Sequence, residues 1–436
     1  MPSPSTLDVT LHHQDTTESF DWAAIGEGDS ARLHPILSYS LGDMFWAAVA
    51  VDNKSPYHSA QPNSLIPRTR HRRPPGSAFQ DQNPSLAKTY LDAFLTTVQP
   101  CLPILSPAET AVAESPAAQM SMALGAMHRP GGDPVSQYHA VHLLEGALDA
   151  IGNVQTDLRT LRLFVLVTLF SLFHCAAGST WHLHGLTLQV AVALGLHHRP
   201  VRRAQHMQTP EDLEKESLFW VAYVLDRLVS ISLGRPLGID DADISVETPA
   251  SNRDTELLAM LVSIARRASL VYTAKSDRSP QSDMAVLPDT IPNHASPLFQ
   301  TLAFQLAIWT TRNIHSVQRQ AIGGLHDCLA TCGTLLVHFQ GGMVNHVPMP
   351  WTSAYAILHI AVTARAASAL CLLRQDVNQD NHGESLGSIE ATEALDSVPA
   401  QLASLSRTFH GLQELCLLYD QIRTTQATST TADIFD

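Results

Sequence analysis

Charge is scarce in this chain, and positive charge is scarcer still. Only 16% of its 436 residues are charged, with 27 Lys and Arg against 41 Asp and Glu, a formal net charge of −14. That balance excludes broad electrostatic attraction to nucleic-acid phosphates or to an anionic membrane surface. Cysteines number six, at 101, 175, 328, 332, 371 and 416, and no two form a Cys-x-x-Cys pair. A two-zinc cluster needs six thiolates gathered around such pairs, so the spacing excludes one here; Cys328 and Cys332 lie one helical turn apart but have no further partners at metal-site spacing. The cysteines read instead as reduced thiols in apolar helices. The first thirty residues lack the apolar core of a secretory leader. The longest apolar run, Leu163 to Phe173, is too short to span a bilayer. An intracellular protein that does not enter a membrane is the expectation. Gly-x-Ser-x-Gly, the phosphate-binding loop, Gly-x-Gly-x-x-Gly and His-Glu-x-x-His are all missing, and no nucleophile stands beside an evident base. The sequence therefore gives no catalytic residue, no metal ligand and no cofactor site.

What the chain does have is apolar content of 45%, spaced for helices and enough for a large core. Residues 1–84 carry little periodic pattern apart from Leu41 to Val51, a candidate short helix, and read as largely disordered. From there Leu86, Tyr90, Phe94 and Val98 form a stripe, and helices are expected over Ala111–Met127 and Ser136–Ile151. Leu158–Cys175 is apolar nearly all round and should be a central buried helix. The next helix presents Leu183, Leu186, Val190 and Leu194 inward, and Gly195 ends it in a left-handed cap with Leu196 folding back. Further on, Leu257, Leu261, Ile264, Ala268 and Val271 repeat the spacing. Ser276 to Pro297, with Pro280, Pro288, Pro292 and Pro297, reads as a loop. Helices resume over Pro297–Ala321, Gly324–Phe339, Trp351–Arg374, Ser388–Phe409 and Gly411–Arg423, with a polar loop at Asp376–Glu384. Strand alternation never persists. The fold class is all-α: a disordered segment 1–84, a helical domain 85–423 with loop 276–297, and a disordered tail 424–436.

The organising stretch is Thr209 to Pro236, TPEDLEKESLFWVAYVLDRLVSISLGRP. Thr209 is an N-cap, Pro210 fits the first helical position, and Glu211 and Asp212 sit at the positive end of the helix dipole. Leu218, Val221, Ala222, Leu225, Leu228 and Val229 line one face, widened by Phe219, Trp220 and Val224. Gly234 supplies the cap and Pro236 the stop. Asp226 and Arg227 on so apolar a helix must pair or reach water, which favours a structural ion-pair network over a ligand site. Arg235 stands where it can bond the last carbonyls.

Histidine, at 22 residues, is abundant. His182 and His184 point to different faces, His139 and His142 share one without a carboxylate beside them, and His197 and His198 sit at a helix end; all read as caps and solvated faces. Asp240, Asp241 and Asp243 lack the glycine and distal Glu of a calcium loop and read as capping a turn. The run Arg68, Arg70, Arg72 and Arg73 is compact enough for a nuclear import signal, with a phosphate-contacting arm or a solvated linker as the other readings.

Glu214, Phe219, Trp220, Tyr223, Leu225, Asp226, Arg227, Gly234, Arg235 and Pro236 carry a further meaning in their order and spacing. Together with the acidic turn from Ile239 to Pro249, and with Trp181, Gly185, Ala191 and Leu194 to His197 upstream, they resemble the signature of the fungal-specific transcription factor domain. That region lies downstream of binuclear zinc-cluster DNA-binding modules. The resemblance covers about Leu86 to Tyr419 and is strongest over 181–249; Lys215-Glu216-Ser217 departs from the arginines usual there. It implies a nuclear transcription regulator, read here as lacking a zinc cluster of its own. Such a protein would control a metabolic or secondary-metabolite gene set through a DNA-binding partner, with a small-molecule effector as a further input. Trp181, Gly195, Phe219, Trp220, Asp226, Arg227, Gly234, Arg235 and Pro236 would be structural motif residues. The competing readings are an all-α enzyme with a histidine-containing pocket, and a remnant or incomplete form of a full DNA-binding factor.

Overall fold

A computed structural model of the chain describes residues 83–106, 115–129, 134–149, 156–199, 209–250, 252, 255–273, 292, 295–309, 322–378 and 393–432. Among these there are twelve α-helices and no strand: α1 (Pro84–Thr97), α2 (Pro116–Met127), α3 (Pro134–Asp149), α4 (Leu158–Phe173), α5 (Thr180–Ala193), α6 (Pro210–Ser232), α7 (Glu256–Thr273), α8 (Pro297–Ile308), α9 (Ile322–Val344), α10 (Thr352–Asn378), α11 (Val398–Thr408) and α12 (Gln413–Ala432). Single 3-10 turns occupy Cys175–Ala177, Asp241–Asp243 and His410–Leu412. The all-α expectation holds. Leu41–Val51, the basic run 68–73 and nearly all of the loop 276–297 lie outside the described residues.

Helix starts follow proline and hydroxyl chemistry more closely than apolar periodicity does. Ser115 accepts the Ala118 N–H with Pro116 behind it, so α2 begins five residues after the expected Ala111. In α3 the first residue is Pro134, two before the expected start. Of the predicted helix Ser388–Phe409, residues 388–392 lie outside the described residues, 393–396 are helical, and α11 follows from Val398 after a break at Ser397; Pro399 has no N–H to offer the preceding turn, and the Ser397 hydroxyl bonds the Ala394 carbonyl there. Other ends overrun: α9 reaches Val344, α10 reaches Asn378 into the expected polar loop, and α12 runs to Ala432, well past the expected end at Arg423 and through most of the expected tail.

The centre of the molecule is α6. It packs against α4, α5, α7, α8 and α10, and every residue from Leu218 to Ser232 is buried. Thr209 and Asp212 make a reciprocal capping box at its start. Helix α4 is buried from Leu161 to Phe173, as its all-round apolar sequence requires. Its buried cation, Arg162, donates to the Ile104 carbonyl at 3.0 Å and pairs with Glu214 of α6. Helices α1 and α2 approach so closely that a Cβ on Gly125 would lie 1.8 Å from the Tyr90 carbonyl oxygen. The chain's later helices join this group where the Trp351 N–H meets the Leu172 carbonyl at 2.9 Å and the Trp351 indole meets Thr180 Oγ1 at 3.2 Å. Gln305 of α8 grips the start of α10, accepting from Thr352 at 2.7 Å and donating to Ser353 at 2.5 Å. Within α10, Thr352–Cys371 is long and apolar enough to cross a membrane, but 83% of that stretch is buried inside the protein. It is a core helix, and among the described residues it is a longer apolar stretch than Leu163–Phe173.

Burial of imidazoles has a consequence in acid. His128, at the end of α2, donates Nδ1–H to the Leu124 carbonyl at 2.9 Å and meets Phe173 edge-on; burial lowers its pKa to about 4. Because the folded value lies below the unfolded 6.5, the stabilisation is complete above pH 6.5 and lost as pH falls toward 4. Urea midpoints should therefore drop between pH 6.5 and 4 with a slope approaching ~1.4 kcal/mol per pH unit for this group, and His128→Gln should flatten that slope.

Candidate functional site: a buried ion-pair network under the 234–250 segment

The segment following α6 turns back over the helix that precedes it. Gly234 has φ 64°, and the Arg235 N–H reaches the Ser230 carbonyl at 2.8 Å while Gly234 N–H reaches Ile231; this is the expected Schellman cap. The same pairing closes α5, where Gly195 has φ 69° and Leu196 N–H bonds the Ala191 carbonyl. That second cap sets the position of the His197 carbonyl, which accepts both Ser245 N–H and Val246 N–H. The two glycines thus fix both ends of the return path. Arg199 on one side and Glu247 on the other close it at the surface with an ion pair.

Beneath the return path lie the charges. Asp226 and Arg227 are fully buried and pair at 2.5 Å. Asp226 also accepts from His184 Nε2–H at 2.9 Å, Ser230 Oγ at 3.0 Å and Gly238 N–H at 3.1 Å. Burial pushes this carboxyl upward, but the His184 hydrogen bond and charge, the Arg227 guanidinium and the Gly238 amide outweigh it and hold the group below its ordinary value. Arg227 reaches on to the Ile239 carbonyl at 2.9 Å and Asp241 at 3.1 Å, and lies 3.9 Å over the Tyr223 ring. Asp241 in turn accepts from Tyr223 OH at 2.6 Å and from Ser269 of α7. Its carboxyl is likewise held down: burial acts against this, and Ser269, Tyr223 and Arg227 prevail. Burial pushes the Tyr223 phenol up. Four elements (α5, α6, the return segment and α7) meet in this one network.

Around it stand the aromatic motif residues. Trp220 is fully buried, donates Nε1–H to the Glu247 carbonyl at 2.8 Å, and is met edge-on by Phe219 and Tyr223. Arg266 of α7 covers its ring at 5.0 Å. Trp181, half-buried at the start of α5, carries the Arg235 guanidinium at 4.8 Å. Thus Arg235 bonds the Ser230 carbonyl through its backbone N–H, while its side chain stacks on Trp181. Pro236 is exposed.

Several expectations need correction. The inner face of α5 is Leu183, His184, Thr187, Leu188 and Ala191, with Leu186, Val190 and Leu194 only half-buried; the buried carboxylate of Asp226 and the Thr168 hydroxyl, 3.0 Å from Thr187, draw the polar edge inward. His184 is accordingly neither a cap nor solvated. Asp240 does cap its turn, accepting from the Ala242 N–H, whereas Asp241 is spent on the network. Gly238 drew no attention in the sequence, yet a Cβ there would lie 2.2 Å from Leu188 Cδ1 and 3.0 Å from Asp226 Oδ1. Gly238→Ala should cost on the order of 1–3 kcal/mol through forced displacement, read as a lowered urea midpoint; an unchanged midpoint would show that the return segment yields freely.

The arrangement joins a histidine to a carboxylate, the feature an enzyme reading would seek. Both side chains are sealed, at 2% and 0% exposure, and the carboxylate oxygens are occupied by Ser230, Arg227 and Gly238. No reacting atom can approach, so its physical effect is to lock the elements together. Among the described residues no group of three or more His, Cys, Asp and Glu is placed to hold a metal ion.

Comparison with known proteins falls on this region. Residues 91–258 match the fungal specific transcription factor domain. Over that span the chain is similar to this family. It is 33% identical over 126 residues to the negative regulator of pleiotropic drug resistance STB5 of Candida glabrata, covering 27% of this chain and 12% of that protein. It is 30% identical over 122 residues to protein STB5 of Saccharomyces cerevisiae, covering 27% and 16%. With the positive regulator of purine utilization of Emericella nidulans it shares 31% over 152 residues, 27% of this chain and 14% of that protein. The chain thus spans between 12% and 16% of the length of these relatives. No solved structure matches it. The match includes α6, the return segment and the Trp181–Arg235 stack, so the buried network except Ser269 lies within the matched residues; Ser269 and Arg266 of α7 lie just beyond its end.

Proposed function

We propose that the chain is a transcription regulator that acts in the nucleus on genes of a metabolic or secondary-metabolite pathway, and not an enzyme. The single observation that carries this is the domain match over 91–258, in line with relatives named as regulators of drug resistance and of purine utilization. A formal charge of −14 and cysteines without cluster spacing support a route to DNA through a partner protein that itself binds the duplex. The helical domain would offer that partner a surface held in shape by the α6 network, and a small effector bound among the helices would shift its equilibrium. The motif residues Trp181, Gly195, Phe219, Trp220, Asp226, Arg227, Gly234, Arg235 and Pro236 would serve shape, and Arg68, Arg70, Arg72 and Arg73 nuclear import. Deleting the gene should alter transcripts of a coherent metabolic set, and immunoprecipitation of the tagged chain should recover a DNA-binding protein from those promoters. Sequence-specific, nanomolar binding of promoter DNA by the purified chain alone at physiological salt would overturn the partner route.

Import has its own test. Changing Arg68, Arg70, Arg72 and Arg73 together to Ala should leave a fluorescent fusion in the cytoplasm. Undiminished nuclear accumulation would make that run a solvated linker.

A further inference from the structure

Two thiols in this protein stand in a relation that none of the other cysteines shares. Cys328 and Cys332 are one turn apart on α9 and both nearly buried, at 5% and 6% exposure, so their side chains share the inner face of that helix. They are free thiols. Coupling between the two thiols favours charge on one of them at the other's expense, while burial disfavours it on both. Burial pushes the Cys101 thiol up to about 12 against the Ser296 and backbone hydrogen bonds that lower it, and burial is also the main cause raising Cys175 and Cys416. The two thiols therefore form a pair on one helical face, and either sulfur can attack first.

Geometry decides what such a pair can take. Side chains at i and i+4 of a helix have Cβ atoms about 5–6 Å apart, whereas a disulfide needs about 3.5–4.5 Å. Direct oxidation would have to deform α9, which is held against α10 and α11. A bridging atom between the sulfurs removes that mismatch. Zinc is a poor bridge here, because a structural site needs four protein ligands and among the described residues no third His, Cys, Asp or Glu joins the pair. The species that fits is soft, thiophilic and satisfied by two thiolates.

We propose that Cys328 and Cys332 form a binding site for monosubstituted trivalent arsenicals and electrophiles of the same two-thiolate chemistry. The reaction is an exchange without oxidant or reductant. An organoarsonous acid, R–As(OH)2, loses two hydroxyls as two waters, taking the two thiol protons, while two As–S bonds form. The arsenic remains trivalent. The chelate ring spans one helical turn and ties the inner face of α9 together from within the core. This site stands on the α9 geometry alone and does not depend on which genes the chain controls.

The test uses phenylarsine oxide, which hydrates to such an acid, on the purified full chain. At one equivalent, intact-mass spectrometry should show a single adduct that survives excess glutathione and is removed by 2,3-dimercaptopropanol. After trypsin the adduct should map to the peptide Gln320–Arg365, in which Cys328 and Cys332 are the only cysteines. Cys328→Ser and Cys332→Ser should each reduce glutathione-resistant binding at least tenfold, with Cys101→Ser and Cys371→Ser unaffected. The peptide map on the unaltered chain keeps the test decisive should a Ser variant fail to fold. An adduct that maps elsewhere, that glutathione strips, or that persists in Cys328→Ser would overturn the proposal.

Discussion

Asp226→Ala will destabilise the domain by about 3–5 kcal/mol, because it strands the fully buried Arg227 without its nearest counter-charge. The pair sits at 2.5 Å with neither group exposed. Removing the carboxylate also deprives His184, Ser230 and the Gly238 N–H of an acceptor, and each buried donor left without one adds a desolvation cost. Against a total stability of about 5–15 kcal/mol for an ordinary domain, that is enough to leave much of the chain unfolded in the cell. Two comparisons separate charge from shape. Asp226→Asn keeps an acceptor and should lose less than Asp226→Ala. Replacing Asp226 by Leu and Arg227 by Met together should recover much of the loss, since removing both charges relieves the desolvation of each. Urea unfolding of the three variants reads all of this; a loss under about 1 kcal/mol for Asp226→Ala would mean that water or rearrangement satisfies Arg227, and that the network does not hold the fold. The depressed Asp226 carboxyl carries a pH signature too. Its contribution is present above the unfolded value of 3.8 and is lost as pH falls below that through the folded value.

Why the sequence announced Asp226–Arg227 but hid their partners is a matter of range. Two charges on a helix that is apolar elsewhere force a pairing, and that inference needs nothing beyond the helix itself. Likewise the caps at Thr209, Gly195 and Gly234 are local devices and stand where expected. His184 and Asp241 are tertiary partners, 42 and 15 positions from Asp226 in the chain; a two-apart histidine pair gives no hint which ring faces a carboxylate. The clue available was the acceptor itself: a sealed carboxylate must collect several donors, and His184 shares a helical face with Thr187 and Leu188. Gly238 had no such clue, because its constraint is the proximity of Leu188 across the fold. Helix ends failed where proline and serine outvoted periodicity, as at Ser115 and Ser397. The wrong inner stripe on α5 arose from treating polarity as exposure, when Thr187 and His184 are buried to serve Thr168 and Asp226.

Trp220→Ala carries the second large effect, and its direction links the fold to the proposed regulator. The indole is fully buried in the centre of α6; truncating it opens a cavity and costs about 3–5 kcal/mol. Two further contacts go with the ring. The Glu247 carbonyl loses the 2.8 Å hydrogen bond that holds the outer end of the return segment, and Arg266 loses the face it covers. Trp220→Phe retains most of the volume and the edge-on packing with Phe219 and Tyr223, so it should lose only part of this, roughly the hydrogen bond and a little packing. A change on the solvent side of the same region, Leu270→Ser at 63% exposed, should stay within about 0.5 kcal/mol of the unaltered protein. The order of urea midpoints should therefore run Leu270→Ser, Trp220→Phe, Trp220→Ala, from highest to lowest. In cells Trp220→Ala should abolish regulation together with protein abundance, whereas a surface change that breaks partner contact should abolish regulation at full abundance. Trp220→Ala with an undisturbed midpoint would show that α6 does not depend on its largest buried side chain, and that the motif tryptophan serves a contact rather than the core.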